Sequence, residues 1–169
     1  MDCQKTKNRQ DIDLIKSLLS RPLLALLSIL VILFSYTATA ETIINDQAAR
    51  QKLLGKHMLS LQWISWKRFG LVRITEKNGT LYVKGAQAGV PGEGANDYLT
   101  IEGRIVKINP RSFVFNGTIV TRVHHIAQGE PCVRKGTMTF RNTGKRRYWR
   151  LKEMDNPCSS VTDYVDIYF

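Results

Sequence analysis

The chain has 169 residues and carries 25 Lys and Arg against 14 Asp and Glu, which gives a net charge of +11. This length fits one domain rather than several. The charge argues against a basic protein such as lysozyme as the partner, because like charges slow association. It favours anionic surfaces such as phospholipid, lipopolysaccharide or peptidoglycan, unless it serves only to keep the domain soluble.

Residues 1–40 are predicted to form a signal peptide that is cleaved after Ala40. They begin with a basic stretch, continue with an apolar run over residues 23–34, and end in the small-x-small pattern Ala38-Thr39-Ala40 that signal peptidase reads. An uncleaved membrane anchor is the alternative, since residues 22–40 lack charge and about twenty such residues span a bilayer. We therefore expect an exported domain, periplasmic or secreted, with no stable membrane span after cleavage.

Cleavage leaves 20 basic and 11 acidic residues, a net charge of +9, and two cysteines, Cys132 and Cys158. An even cysteine count in an oxidising compartment predicts one disulfide between them. Closing a loop of this length stabilises a fold by roughly 3–4 kcal/mol in the chain-entropy model. A reactive or metal-bound thiol pair is the alternative, although the chain has no Cys-x-x-Cys motif.

The exported part is predicted to begin with a lead-in over residues 41–56, followed by a β-domain over residues 57–169. Apolar residues of the lead-in recur at helical spacing and stop before Gly55, which indicates a short helix or an extended segment. Residues 57–66 are the first predicted strand, because Leu59, Leu61 and Trp63 share one face at a period of two.

Residues 71–85 carry the clearest local pattern, two alternating runs around Asn78-Gly79. This pair favours a type I′ turn, in which both central residues have positive φ. If Lys77 faces Thr80, one face of the hairpin collects the apolar side chains Val72, Ile74, Leu81 and Val83. The other face then collects Arg73, Tyr82 and Lys84, with Arg73 and Lys84 as like-charged neighbours whose repulsion an anionic partner would relieve.

The rest of the chain reads as short strands joined by turns. A long loop is predicted over residues 86–97, a bulge at Gly103, and a bend or close neighbour at Gly117. The predicted strands cover residues 98–108, 113–123, 132–141, 147–154 and 161–169. About eight strands with short connections predict an all-β domain, a single antiparallel β-barrel. A β-sandwich is the alternative, but only residues 86–97 are long enough for the crossover that it needs.

This strand pattern over residues 54–169 resembles the small secreted calycin-like, or lipocalin-like, β-barrels. Those proteins usually carry Gly-x-Trp at the entry to the first strand. Here Gly55-Lys56-His57 stands at that place and the first tryptophan is Trp63. The resemblance therefore implies a barrel architecture, and no ligand or activity is carried over with it. The chain also resembles uncharacterised exported bacterial proteins.

No residue pattern indicates catalysis or a cofactor. The chain has three histidines, His57, His124 and His125, and the last two would point to opposite faces if they lay on a strand. There is no Gly-x-Ser-x-Gly motif, and Asp163 and Asp166 would lie on opposite faces of the last strand. We expect neither a metal site nor an enzyme, although an enzyme of unknown reaction stays an alternative.

Aromatic and basic residues suggest a binding surface for sugars, lipid headgroups or single-stranded nucleic acid, with nucleic acid the least expected. Its candidate residues are Trp63, Trp66, Arg73, Tyr82, Lys84, Arg147, Trp149 and Arg150. The alternative is that the tryptophans belong to the core. We expect an exported, non-enzymatic barrel that binds a small apolar or anionic ligand or an anionic envelope component. A protein-binding module, such as an inhibitor of an envelope or cell-wall hydrolase, is the second possibility.

Overall fold

The computed structural model describes residues 40–92 and 94–169. The predicted signal peptide lies outside these residues except for Ala40, so its cleavage stays a prediction. In the part of the chain that is described, no helix has the length and the apolar character needed to cross a membrane.

The described residues contain nine strands, one short α-helix and a 3-10 turn over Ala127–Gly129. The helix, α1, spans Gln47–Leu53. The strands are β1 (Ile43–Ile44), β2 (Gly55–Leu61), β3 (Gly70–Lys77), β4 (Thr80–Ala88), β5 (Tyr98–Asn109), β6 (Ser112–Arg122), β7 (Cys132–Arg141), β8 (Tyr148–Leu151) and β9 (Val165–Tyr168).

Strands β2 to β9 form a closed antiparallel barrel. Their order is β5-β4-β3-β2-β9-β8-β7-β6, and pairing between β5 and β6 closes the ring. The predicted all-β barrel of eight strands is thereby confirmed, and the sandwich alternative is wrong. Strand β1 lies outside the ring and pairs in parallel with the end of β5, where Ile43 faces Lys107.

The β3–β4 hairpin has the predicted register, with Lys77 opposite Thr80. Asn78 and Gly79 take φ values of 50° and 72°, as a type I′ turn requires. The four apolar side chains assigned to the inner face are all buried. Local turn chemistry and hydrophobic alternation agree at this hairpin, which is why the sequence predicts it so closely.

Strands β5 and β6 approach each other closely where Gly103 on β5 lies opposite Gly117 on β6. A Cβ on Gly117 would stand 2.3 Å from the carbonyl oxygen of Glu102 and 2.5 Å from the ring of Phe115. The close neighbour predicted at Gly117 is therefore present. The bulge predicted at Gly103 is not, because the register shifts between Ile105 and Lys107 instead.

The N-terminal helix is confirmed, but the first strand differs from its prediction. Asp46 caps α1 by accepting a hydrogen bond from the backbone N–H of Ala49 at 2.6 Å. Strand β2 begins at Gly55 and ends at Leu61, not at residue 66. It ends there because the buried side chain of Gln87 holds the following turn, accepting from the Leu61 N–H and donating to the carbonyls of Ser65 and Arg68.

The last two strands are shorter than predicted. Strand β8 ends at Leu151 and β9 begins at Val165, because residues 152–164 fold across one end of the barrel. Asp163 fixes this segment. Its backbone N–H donates to the Met154 carbonyl at 2.7 Å, and its carboxylate lies 2.9 Å from the guanidinium of Arg134.

Aromatic side chains fill the barrel. Phe113, Phe115 and Phe140 are fully buried, and the rings of Phe113 and Phe140 stack with centroids 5.0 Å apart. Trp149 packs edge-on against Phe113 at 5.8 Å. Because these side chains occupy the interior, we look for a binding surface on the outer wall of the barrel.

Candidate functional site

Three basic residues stand in a row on the outer wall of the barrel. The register pairs Lys56 of β2 with Arg73 of β3, and Arg73 with Lys84 of β4. All three side chains are exposed. Lys84 forms an ion pair with Glu102 of β5, with 3.0 Å between Nζ and Oε1. Among the described residues, Lys56 and Arg73 have no carboxylate at ion-pair distance, so the two positive charges face each other without compensation.

An apolar row runs beside this basic row. Met58 and Leu71 are register partners on β2 and β3, with 49% and 51% of their surface exposed. Phe69 packs edge-on against Tyr168 of β9, with ring centroids 5.1 Å apart. Large apolar side chains that are exposed next to one another commonly mark a contact surface for a partner or a membrane.

A groove of about 630 Å³ continues the surface towards α1 and the end of β9. Its lining includes Lys52, Lys56, Arg147, Met58 and Tyr168, and it contains no Asp or Glu side chain. The ammonium group of Lys52 lies 4.5 Å from the centre of the Phe169 ring, a cation–π contact. We call the combined surface the basic face; its members are Lys52, Lys56, Arg73, Lys84 and Arg147 with Met58, Leu71, Phe69 and Tyr168.

His57 lies at the floor of the groove and ties two elements together. Its Nδ1 is 3.0 Å from the Tyr168 carbonyl oxygen, and its Nε2 is 2.8 Å from the Leu53 carbonyl oxygen. Both partners are backbone carbonyl oxygens, which accept a hydrogen bond from a ring N–H. His57 thus links the end of α1 to the last strand directly beneath the basic side chains.

The structure brings part of the predicted surface together. Arg73, Lys84 and Arg147 belong to the basic face, and Tyr82 lies on the same side of β4, opposite Thr75. Trp66 is 53% exposed in the turn after β2, close in sequence to Phe69. These five of the eight candidate residues are exposed, as a binding surface requires.

Two of the predicted tryptophans are not on the surface. Trp149 is only 3% exposed and packs between Phe113 and Phe169, so its assignment to a binding surface is wrong. Trp63 is half-buried, and its indole N–H donates to Asp163 at 3.1 Å. The core alternative is right for Trp149, whereas Trp63 helps to close the end of the barrel.

Arg150 is engaged in the structure rather than free for a ligand. Its guanidinium donates two hydrogen bonds to the buried carboxylate of Asp166, at 2.8 and 2.7 Å. These bonds raise the pKa of Arg150 above its ordinary value. The rings of Tyr148 and Tyr164 lie 5.1 and 4.0 Å from the guanidinium carbon. This cluster holds β8 to β9 beside the basic face.

Six members of the basic face were not predicted from the sequence: Lys52, Lys56, Met58, Phe69, Leu71 and Tyr168. Lys56 and Met58 alternate with the inward-facing His57 and Leu59, so their shared outer face follows from a period of two. Their proximity to Lys52 and Arg147 depends on how α1 and the end of β9 pack, which no local pattern contains.

A disulfide and a buried ion pair hold residues 152–164 against the barrel. Cys132 and Cys158 form the predicted disulfide, with 5.9 Å between their Cα atoms. Arg134 and Asp163 are buried within the barrel end, and the Asn156 amide donates to the Asp163 carboxylate at 2.9 Å. These contacts fix residues 152–164 over the barrel, and we assign them a structural role.

Comparison with known proteins identifies the family. A family model described as the PM1083 family matches residues 41–169. The chain is 43% identical over 137 residues to the uncharacterized protein PM1083 of Pasteurella multocida (strain Pm70), covering 80% of this chain and 86% of that protein. No solved structure matches the chain. Neither description names a ligand or a reaction. This chain belongs to the PM1083 family.

Proposed function

We propose that this protein is an exported, non-enzymatic β-barrel that binds an anionic lipid surface of the envelope through its basic face. The observation that carries the proposal is the pairing of Lys56 with Arg73 on neighbouring strands. Like charges placed opposite each other destabilise a sheet. An anionic partner would remove that repulsion. The free energy that the repulsion costs the unbound protein would then favour binding.

The electrostatic contribution is sufficient for weak association. A basic residue near an anionic membrane contributes about 1 kcal/mol. The basic face holds five such residues, of which Lys84 is already paired with Glu102. The other four form no ion pair with any described residue, and they supply an attraction of about 4 kcal/mol before any apolar contact.

The apolar row favours a lipid surface over a small soluble anion. Met58 and Leu71 are half-exposed beside the cations, so the face is amphipathic. Such a surface places basic groups at the phosphate level and apolar side chains against the acyl boundary. A soluble anion would use the cations and leave these two side chains in water.

The fold and the sequence support this placement in two further ways. An eight-stranded barrel fits a lipocalin-like architecture, but its filled interior directs binding to the outer wall. The family match begins at residue 41, directly after the predicted signal peptide. Export would bring the domain to the envelope surfaces that carry anionic lipid.

Sedimentation with lipid vesicles tests the proposal. The purified protein is mixed with vesicles of phosphatidylglycerol and phosphatidylcholine, and with vesicles of phosphatidylcholine alone, over a series of salt concentrations. We expect binding to the anionic vesicles that weakens as salt shortens the Debye length to about 8 Å at physiological ionic strength. Equal binding to both vesicle types, or no binding at low salt, would contradict the proposal. Absence of binding to lipid would favour an acidic protein as the partner of this face.

A further inference from the structure

A second cluster lies away from the basic face, where the turn after β6 meets the start of β5. The Asp97 side chain is almost completely buried. Its Oδ1 accepts the backbone N–H of His124 at 2.8 Å, and its Oδ2 lies 2.8 Å from Nδ1 of the same residue. Because one carboxylate holds both the backbone and the ring of His124, the orientation of this imidazole is fixed.

The ring of His125 converges on the ring of His124. Its Nδ1 lies 3.4 Å from Nε2 of His124. On a strand these two side chains would diverge, but β6 ends at Arg122 and both histidines lie in the turn that follows. A turn allows adjacent side chains to converge, whereas a strand sends them to opposite faces.

The nitrogen atoms that face each other are suited to a metal ion. With its Nδ1–H directed at Asp97, neutral His124 carries a lone pair on Nε2. Imidazole nitrogens bind zinc at about 2.0–2.1 Å, so two of them in a tetrahedral site lie about 3.3 Å apart. The observed separation of 3.4 Å matches that spacing before any movement of the side chains.

We propose that Nε2 of His124 and Nδ1 of His125 form a two-nitrogen chelate for a late first-row divalent cation, Zn²⁺ or Cu²⁺. Asp97 faces Nδ1 of His124 and fixes the orientation of the ring, which directs Nε2 towards the metal. In the metal-free protein, Nδ1–H of His125 donates to Nε2 of His124. When the metal binds, His125 releases the Nδ1 proton to water and takes a proton from water on Nε2, so the ring stays neutral and the metal occupies the position of the shared proton.

The two nitrogen donors determine which metal ions this site prefers. Imidazole nitrogens prefer zinc, copper and nickel, while magnesium and calcium prefer oxygen ligands. Within the described residues, no group of three or more His, Cys, Asp or Glu side chains is arranged around one ion. The chelate therefore leaves coordination positions for water or an external ligand, and both histidines are exposed enough to receive one.

Nuclear magnetic resonance of the histidine rings tests the chelate directly. The protein is produced from the full chain without a histidine tag and titrated with ZnCl₂ or MgCl₂ while the ring nitrogens are observed. We expect Zn²⁺ to shift Nε2 of His124 and Nδ1 of His125 and to leave buried His57 unchanged, and Mg²⁺ to shift none. Unchanged resonances of His124 and His125 at millimolar Zn²⁺ would overturn the proposal.

Two variants separate ligands from neighbours. His125→Gln removes one ligand at an exposed position. Loss of a group that only orients a ligand weakens metal binding by about 10–100-fold, and loss of the ligand itself should weaken it more. Asp97→Asn should weaken it by about 10–100-fold while both ligands remain. Circular dichroism confirms that each variant is folded. Wild-type affinity in His125→Gln would show that the ion is held elsewhere.

A fluorescence measurement supplies an independent readout. The ring of Trp63 lies 6.1 Å from the ring of His125. Cu²⁺ bound at the chelate should quench Trp63, and Trp63→Phe should lose most of the quenching while it retains the affinity for Cu²⁺. Quenching of equal size in Trp63→Phe would place the copper near Trp66 or Trp149 and contradict the site.

Discussion

Lys56 and Arg73 are register partners on the outer wall of the barrel, so two positive side chains stand side by side on β2 and β3. Arg73 meets a second cation, Lys84, on its other side. A sheet that served stability alone would place opposite charges at such positions, as it does for Lys84 and Glu102. The arrangement is consistent with a surface whose charge is completed by a partner.

The first prediction concerns the stability of the free protein. Arg73→Thr removes the central charge of the row and introduces a residue that favours strands. The free energy of unfolding should stay unchanged or rise by up to about 1 kcal/mol, because a like-charge contact on each side disappears. Urea unfolding at low salt measures this change. A loss of more than about 1 kcal/mol would mean that Arg73 makes stabilising contacts in the fold.

The second prediction concerns the disulfide between Cys132 and Cys158. Denatured protein that has not been reduced should leave both residues unlabelled by a thiol reagent. Cys158→Ala should lower the free energy of unfolding by about 2–5 kcal/mol, since the loop that the bond closes becomes free in the unfolded chain. Peptide mapping of the labelled protein provides the check. Labelling of both cysteines without reductant would refute the bond.

The third prediction concerns the close approach of β5 and β6 at Gly117. Gly117→Ala places a methyl group against the Glu102 carbonyl and the Phe115 ring, each within 2.5 Å. Such overpacking should cost about 1–3 kcal/mol of unfolding free energy, and more if the wall cannot shift. Thermal unfolding compared with the wild type measures it. An unchanged melting temperature would show that β5 and β6 separate easily at this point.

The fourth prediction concerns alkaline pH. Burial raises the pKa of Tyr168, against a smaller opposing effect of its hydrogen bond with Ser60. The unfolded chain then loses this proton at a lower pH than the folded chain. Stability should therefore fall as pH rises above about 10, and continue to fall until the pKa of folded Tyr168 is passed.

Tyr168→Phe is the matched control for this pH dependence. It removes the hydroxyl and keeps the ring against Phe69, so the decline of stability above about pH 10 should become smaller. The tyrosinate absorbance band should also lose the component that belongs to Tyr168, whose pKa is raised. A variant with the same alkaline profile as the wild type would assign the decline to another tyrosine.

Local patterns predicted the parts of the fold that depend on neighbouring residues. The turn at Asn78 and Gly79 and the alternation on either side fixed the β3–β4 register. The end of β2 and the start of β9 could not be predicted in this way, because Gln87 and Asp163 fix them through contacts with residues distant in sequence, Leu61 and Arg134. Side-chain anchors of this kind have no periodic signature.

The candidate binding surface also combines features that local patterns predict with features that depend on distant contacts. Trp149 and Arg150 are adjacent on β8, so a period of two sends them to opposite faces. The sequence did not reveal that the face with Trp149 was the inner one, because both faces of that strand carry aromatic residues. Arg150 seemed free only because its partner Asp166 lies on the following strand in the ring.

The most direct test of the basic face compares two variants of equal charge on anionic vesicles at low salt. Lys56→Gln with Arg73→Gln removes two cations from the face. Lys135→Gln with Arg141→Gln removes two exposed cations from β7, four strands away from β3 in the ring. We predict that the first variant loses about 2 kcal/mol of binding free energy, roughly thirtyfold in affinity, and that the second loses much less. Equal losses in the two variants would show that net charge, and not this face, accounts for any binding to anionic lipid.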